Sequence, residues 1–417
     1  MTPAFPLPPR AWLTVALLWL VAFINFVDRT MVTTMHGSLV GAIPMSEAQY
    51  GLLTSVFLWV YGLMNPIAGF IADRFSRRWV ILASLFAWSL TTCLTSQVQT
   101  FPQLLAMRVL LGITESCYVP AAMALIADYH RGPTRTVALG AHQTGMVAGM
   151  MLGGLGGWLA EKYSWQMAFT TLGIPGLLYG FVLLFLLRDA PTVAAEEKPA
   201  SQPPTEKIGL GAALASLWAS RNYRLQLACV VMLGASGWII IGWLPTYIGE
   251  HFGLSQGAAG FSATGYLNGS TIAGMVLGSF WTARWSRTNL RSHIYVPVVG
   301  LSLAIPAMLL CAQSDTLFFA LAWLVMFGVC RNFFDVNLVP IVCLIVDPRY
   351  RATGIGTIGA FSCFTGGVMI YLVGFLRDRH VDMSRIFTST TGCLLICIAL
   401  LLLIRLPPRD SEPNSPL

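Results

Sequence analysis

The sequence predicts an all-α membrane protein, with twelve transmembrane helices in two pseudo-symmetric bundles of six. Composition points there first. The 417-residue chain is 56% hydrophobic and only 10% charged, whereas a soluble domain carries about a quarter charged residues. Its mean hydropathy is +0.69. Apolar runs of eighteen or more residues recur along it, each able to cross a ~30 Å hydrocarbon core as a helix. A polar, Pro-rich stretch, 189–222, then divides these runs six from six.

The runs are 12–36, 49–72, 79–98, 103–128, 136–160 and 166–188, followed by 223–248, 257–282, 293–313, 317–345, 351–376 and 385–406. Only helices and closed barrels satisfy backbone polar groups in lipid, and runs this long are helices. The first run exceeds a signal-peptide h-region and carries Asp28 and Arg29, so it is kept as a helix. Five regions follow: an N-terminal tail (1–11), a six-helix bundle (12–188), a flexible linker (189–222), a second bundle (223–406) and a C-terminal tail (407–417). The linker holds Pro191, Pro199, Pro203 and Pro204 among Glu196, Glu197, Lys198 and Lys207, a composition that does not pack. Two six-helix halves joined by a long loop are the plan of parallel membrane repeats, whose binding site lies at their interface.

The net charge of +7 invites a nucleic-acid reading, but its distribution rejects that and makes it a topology signal. With both termini on one side, the loops and termini of that face hold eighteen of the twenty-five Lys and Arg residues. The opposite face holds Lys162, Arg377, Arg379 and Arg385, and the helices hold Arg29, Arg108 and Arg331. By the positive-inside rule the rich face is cytoplasmic. The expected location is a bacterial inner membrane, multi-pass, with both termini in the cytoplasm. All nine cysteines fall in apolar runs without a C-x-x-C pair, so they are read as small core- or lipid-facing residues and imply no metal.

The gap between the second and third runs reads Gly69-Phe-Ile-Ala-Asp73-Arg74-Phe-Ser76-Arg77-Arg78. It resembles the loop between helices two and three of the major facilitator superfamily, G-x-x-x-D-R-x-G-R-R, with Ser76 where the family has Gly. The resemblance implies the major facilitator fold and a cytoplasmic gate of Gly69, Asp73, Arg74, Arg77 and Arg78 with Asp128 and Arg135. Asp73 and Arg74 would reach the start of the 351–376 helix and Asp128 or Arg135. A weaker echo, Ser279-Phe-Trp-Thr-Ala283-Arg284-Trp-Ser286-Arg287, follows the 257–282 run and has Ala283 in place of the acid. Asp347-Pro-Arg349-Tyr-Arg351 likewise echoes the stretch from Asp128 to Arg135.

Ionisable groups inside spanning helices cost several kcal/mol unless paired or hydrated, and mark function by default. They are Asp28 and Arg29 in the first run, Arg108 and Glu115 in the fourth, and Arg331 and Asp335 in the tenth. Arg108 and Glu115 share a helix face but lie about 10 Å apart along its axis, so each needs a partner from elsewhere, and Asp28 is the expected partner of Arg108. Arg331 and Asp335, spaced i, i+4, can pair on their own helix.

N-[FY]-x-D-R around Asp28 together with R-x-x-x-G-x-x-E from Arg108 to Glu115 resembles two branches of the superfamily. One is the anion:cation symporters, which move sugar acids and other organic anions with protons. The other is the Spinster-like transporters, associated with lysolipids and sphingolipids. Trp88-Ser89-Leu90 is similar to both; Ile126-Ala-Asp128-Tyr with Arg135, and Trp165, Phe169, Gly173, Pro175 and Gly176, resemble Spinster. The resemblance implies Asp28, Glu115 and Arg108 in proton coupling, and Arg29 and Arg108 in anion binding. Independently of family, an arginine that turns from a carboxylate to an incoming anion lets that carboxylate take a proton, which couples the two bindings. Arginine also matches a carboxylate bidentately.

The fifth run reads Gly145-x-x-x-Gly149-Met150-x-x-Gly153-Gly154, a spacing for close helix packing. It resembles the drug/proton antiporter motif but has Met150 at the motif's proline. Further candidates for substrate contact are Tyr61, Asn65, His142, Gln143, Trp243, Tyr247, Arg331, Asn332, Asp335 and Asn337. No P-loop, Gly-x-Ser-x-Gly or His-Glu-x-x-His occurs, so no enzyme is expected. The expected function is proton-coupled symport of a small organic anion such as a sugar acid, by alternating access. It would use a proton gradient and no cofactor, in a lipid-embedded monomer. The alternatives are a lipid or lysolipid carrier and a transporter-like ligand sensor.

Overall fold

The structure, a computed structural model, describes residues 10–130, 133–190 and 210–406. The predicted tails and most of the linker therefore lie largely outside the described residues. The helices, in chain order, are α1 (Ala11–Met31), α2 (His36–Ala42), α3 (Glu47–Arg74), α4 (Arg77–Thr95), α5 (Phe101–Ser116), α6 (Tyr118–Tyr129), α7 (Pro133–Met151), α8 (Gly154–Lys162) and α9 (Trp165–Leu186). They continue as α10 (Leu210–Ala219), α11 (Arg221–Phe252), α12 (Gln256–Ser286), α13 (Ser292–Ala312), α14 (Leu317–Ile345), α15 (Arg351–Asp378) and α16 (Met383–Leu402).

All twelve predicted runs are helical. Ten helical stretches are long and apolar enough to cross a membrane. The other two runs, 136–160 and 257–282, form α7–α8 and α12, whose many Gly, Ser and Thr residues dilute their hydropathy. Large apolar side chains lie open on the outer surface, among them Leu63, Phe185 and Phe318, as expected where the solvent is lipid.

Three local features depart from the sequence reading. The 103–128 run is broken at Cys117, between α5 and α6. Pro120 has no N–H for the carbonyl four residues earlier, at Ser116, which weakens the helix at this turn, although Pro66 and Pro175 are carried within α3 and α9. The 136–160 run is interrupted between Met151 and Gly154, where paired glycines weaken the helix. Within the expected linker, 210–219 forms α10. Its Ala213 and Leu217 are buried, so an amphipathic face four residues apart overrides the polar, Pro-rich composition of the surrounding stretch.

Two compact units form. The first comprises Met1–Ala200, Gly242–Gly265 and Ile370–Asp378, and the second Ser201–Ile241, Tyr266–Met369 and Arg379–Leu417. In the first, α1 packs on α7, α3 on α5 and α4 on α9; in the second, α13 packs on α14 and α16. Helix starts are locally encoded. Ser46 and Gln49 form a reciprocal capping box on α3, and Ser164 caps α9 by accepting the Met167 N–H at 3.1 Å.

The α1–α7 contact depends on small residues. A Cβ at Gly145 would stand 2.7 Å from the Trp19 carbonyl oxygen, and one at Gly149 would collide with the Phe23 carbonyl and come within 2.9 Å of the Phe26 Cβ. Gly140, one turn or so earlier, has nothing within 4 Å of its Cβ direction. Gly149→Val should therefore destabilise the purified protein by about 1–3 kcal/mol, read as a lower thermal midpoint, whereas Gly140→Val should leave it nearly unchanged. Equal losses from the two would contradict the close α1–α7 packing.

Candidate functional site

The charged centre of the first unit is built from α1 and α5, with α3 and α4 alongside. Asp28 is 2% exposed, Arg108 1% and Glu115 0%. Arg29 donates from Nε to Glu115 Oε2 at 2.6 Å, an ion pair between the two helices with side-chain exposures of 14% and 0%. Its guanidinium lies 4.2 Å from the Tyr61 ring centroid, 4.7 Å from Phe26 and 5.5 Å from Phe57. Aromatic faces attract a cation and at the same time exclude water from it.

Asp28 does not ion-pair directly with Arg108, contrary to the sequence expectation. Thr92 on α4 donates to Asp28 Oδ2 at 2.5 Å, and Glu115 takes Arg29. Arg108 Nε donates to the Leu53 carbonyl at 3.2 Å, and its guanidinium lies 4.9 Å from the Phe57 centroid. The arrangement leaves Arg108 Nη1 and Nη2, Arg29 Nη2, Asp28 Oδ1 and Glu115 Oε1 buried without a hydrogen-bond partner. Buried polar atoms are nearly always paired. Five such atoms around one centre mark a place where a further polar group belongs.

The other candidates separate by what they already hold. Tyr61 and Asn65 are half-buried and Gln143 is exposed. His142 is fully buried, with Nε2 at 2.9 Å from the Tyr118 hydroxyl. That hydroxyl donates to the Leu18 carbonyl at 2.7 Å, so the imidazole must be the donor to Tyr118, which fixes the proton on Nε2. Trp243 is buried and donates to the Ile370 carbonyl at 3.1 Å, and Tyr247 stacks on His251.

In the second unit, Arg331 donates to Asp335 at 3.0 Å, as the i, i+4 spacing predicts. Asn332 gives its amide N–H groups to Thr271 and the Gly328 carbonyl. Asn337 gives its own to Thr282 and the Phe333 carbonyl. Each amide thus gives one N–H to α12 and the other to a carbonyl of its own helix α14, with no N–H left for a ligand.

At the arginine-rich end of the first unit, Arg77 forms an ion pair with Asp128. Asp73 and Arg135 are exposed, Gly69 is half-buried, and the Arg74 guanidinium lies 4.4 Å from the Phe70 centroid. Ser76, the departure from the family motif, has a purpose. Its hydroxyl caps α4 and donates to Asp189 Oδ2 at 2.5 Å, while Asp189 Oδ1 accepts the Arg78 N–H at 2.9 Å. Arg78 Nη2 reaches the Leu184 carbonyl at 2.5 Å. Asp189 had been assigned to the linker on composition. In the second unit Asp347 pairs only locally, with Arg349 at 2.8 Å. That bond and the Arg349 N–H hold its carboxyl down at about 2.

One cluster was not anticipated. Arg377 donates to Glu47 at 3.0 Å and bidentately to Glu250 at 2.9 and 2.7 Å, and His36 Nε2 lies 2.9 Å from the same Glu47 oxygen. Asp378 accepts the Glu47 and Ala48 N–H groups at 2.8 and 3.0 Å, covering the N-terminus of α3. These residues come from four distant stretches, so no linear motif announces them. The available signal was that Glu47, Glu250 and Arg377 all flank gaps on the arginine-poor face.

Removing one member of a buried ion pair strands the other. Glu115→Gln should therefore destabilise the protein by about 3 kcal/mol, and adding Arg29→Gln should recover part of that loss in a double-mutant thermal cycle. Additive losses would contradict the pair.

The chain matches the Major Facilitator Superfamily over residues 18–370. It is similar to the probable L-galactonate transporter of Escherichia coli K12, at 24% identity over 95% of this chain and 90% of that one. It is also similar to an MFS-type efflux pump of Mycolicibacterium smegmatis, at 24% identity over 90% and 86%. Among solved structures it resembles a bacterial homolog of the human lysosomal transporter Spinster, inward-facing and unoccupied, with a TM-score of 0.77 at 22% identity over 95% of both chains. With its run of membrane-crossing helices and its Gly69–Arg78 loop, the chain belongs to the Major Facilitator Superfamily of transporters.

Proposed function

We propose that this transporter carries a small organic anion, a sugar acid by class, together with protons, by alternating access in a bacterial inner membrane with both termini cytoplasmic. The observation that carries the reading is the pair of unpartnered guanidinium nitrogens on buried Arg108. Two parallel N–H groups held in an apolar interior match a carboxylate fork to fork. The similarity to an L-galactonate transporter supports the same class of cargo.

Coupling follows from the composition of the centre. Asp28 and Glu115 balance Arg29 and Arg108, so the empty site is near neutral overall. A bound carboxylate adds one negative charge to a medium that tolerates none. Protonation of Asp28 or Glu115 removes that excess, so anion and proton each favour the other's binding. Arg29 is the natural reporter of this exchange, because its Nη2 is free while its Nε holds Glu115. The reading needs no cofactor.

Purified protein in proteoliposomes should accumulate labelled L-galactonate when the lumen is alkaline. Asp28→Asn and Glu115→Gln should abolish the pH-driven accumulation, and Arg108→Ala should abolish both uptake and the ligand-induced rise in thermal midpoint. Accumulation that survives in both carboxylate variants would refute proton coupling through these groups. Stabilisation by lysophospholipid but not by any sugar acid would instead make the chain a lipid carrier.

A further inference from the structure

The echo of the Gly69–Arg78 loop in the second half has lost its acid, and its arginines are left unsatisfied. In the first unit Arg77 pairs with Asp128, and Arg78 is held by the Leu184 carbonyl. In the second unit the side chains of Arg284 and Arg287 make no hydrogen bond or ion pair with any described residue. The sequence offers them none nearby, since no Asp or Glu occurs between Glu250 and Asp315. These arginines border an open groove of about 610 Å³ lined by Phe280, Trp281, Arg284, Trp285, Arg287 and Thr288.

The groove is unlike a water-facing charge cluster. Phe280 is 70% exposed and Trp281 38%, and Trp281 and Trp285 stack with centroids 6.2 Å apart at 13°. Trp285 in turn meets Tyr295 at 5.9 Å. Tyr295 also lines a second groove of about 300 Å³ that carries Arg221, Arg291 and Arg405. Their side chains likewise make no ion pair with described residues. Aromatic rings of this kind sit at the level of lipid headgroups, with the basic residues just beyond them and the apolar length of α12 below. A ligand for this place needs a negative head at the arginines and an apolar tail along the helix.

We propose that the Arg284–Arg287 groove is a binding site for the headgroup of an anionic phospholipid from the leaflet on that side of the membrane. The phosphate sits between the two guanidinium groups, the glycerol lies against the Trp281–Trp285 stack, and the acyl chains run past Phe280. Ala283, where the first-half loop has Asp73, keeps the site open. A carboxylate there would stand next to Arg284 and four residues before Arg287, and would lower the positive charge of the groove.

Native mass spectrometry of the full chain in detergent, titrated with dioleoylphosphatidylglycerol, tests this. Wild type should bind it far more tightly than dioleoylphosphatidylcholine or glycerol 3-phosphate. Basic residues at a membrane surface are each worth several-fold in affinity for anionic lipid, so Arg284→Gln/Arg287→Gln should weaken binding about 20-fold. Arg284→Lys/Arg287→Lys should stay within about threefold of wild type. Ala283→Asp supplies an independent loss that spares both arginines, should the double glutamine variant fail to fold. Unchanged binding in Ala283→Asp or in Arg284→Gln/Arg287→Gln would overturn the proposal. So would equal binding of the choline lipid, which would make the groove an apolar surface only. Glycerol 3-phosphate binding as tightly as the lipid would make it a free-phosphate site and would overturn the proposal as well.

Discussion

An ionised pair buried among apolar helices is the constraint on which the first unit depends. Arg29 and Glu115 meet at 2.6 Å between α1 and α5, in surroundings where either charge alone would cost several kcal/mol. Their pairing bears on the register of the two helices, and the glycine contact of α7 packs on the same α1. With Glu115 committed to Arg29 and Asp28 to Thr92, Arg108 is left with a backbone carbonyl and two free nitrogens. The anion binding proposed for this site would therefore follow from how its internal charges have already paired.

The two ends of the first unit are fastened differently. At the arginine-rich end the bonds join α4 to α6 and to the chain that leaves α9, through Asp128 and Asp189. At the other end Arg377 gathers Glu47 and Glu250, with His36 against the same Glu47 oxygen and Asp378 on the start of α3. The Arg377 bonds to Glu47 and Glu250 are partly exposed ion pairs, the kind worth little singly and more in a network. Such contacts can be exchanged at small free-energy difference, as the proposed alternating access would require.

Most of the architecture was legible because lipid leaves few choices: long apolar runs must be helices. What escaped was local chemistry set against composition. Pro120 breaks a run that hydropathy scores as continuous, and Ala213 and Leu217 make a helix inside a stretch dominated by proline and charge. The members of the buried centre were legible one by one, since Asp28, Arg29, Arg108 and Glu115 are conspicuous in apolar sequence. Their pairing was not. Spacing within a helix says which residues share a face, but the choice of Glu115 over Asp28 as an ion-pair partner depends on the rotation of one helix against another. The same limit hid the Arg377 cluster and concealed that Asn332 and Asn337 divide their amide N–H groups between α12 and their own helix.

The central claim is that anion and proton bind as linked events at the Asp28–Arg29–Arg108–Glu115 centre. Its most direct measurement is the heat of L-galactonate binding to purified protein, in buffers of differing ionisation enthalpy at one pH. The account predicts that the observed heat varies linearly with buffer enthalpy, with a slope reporting net proton uptake, and that Asp28→Asn/Glu115→Gln abolishes the slope. Binding heats independent of buffer in the wild-type protein, at a pH where transport is driven by a proton gradient, would contradict it.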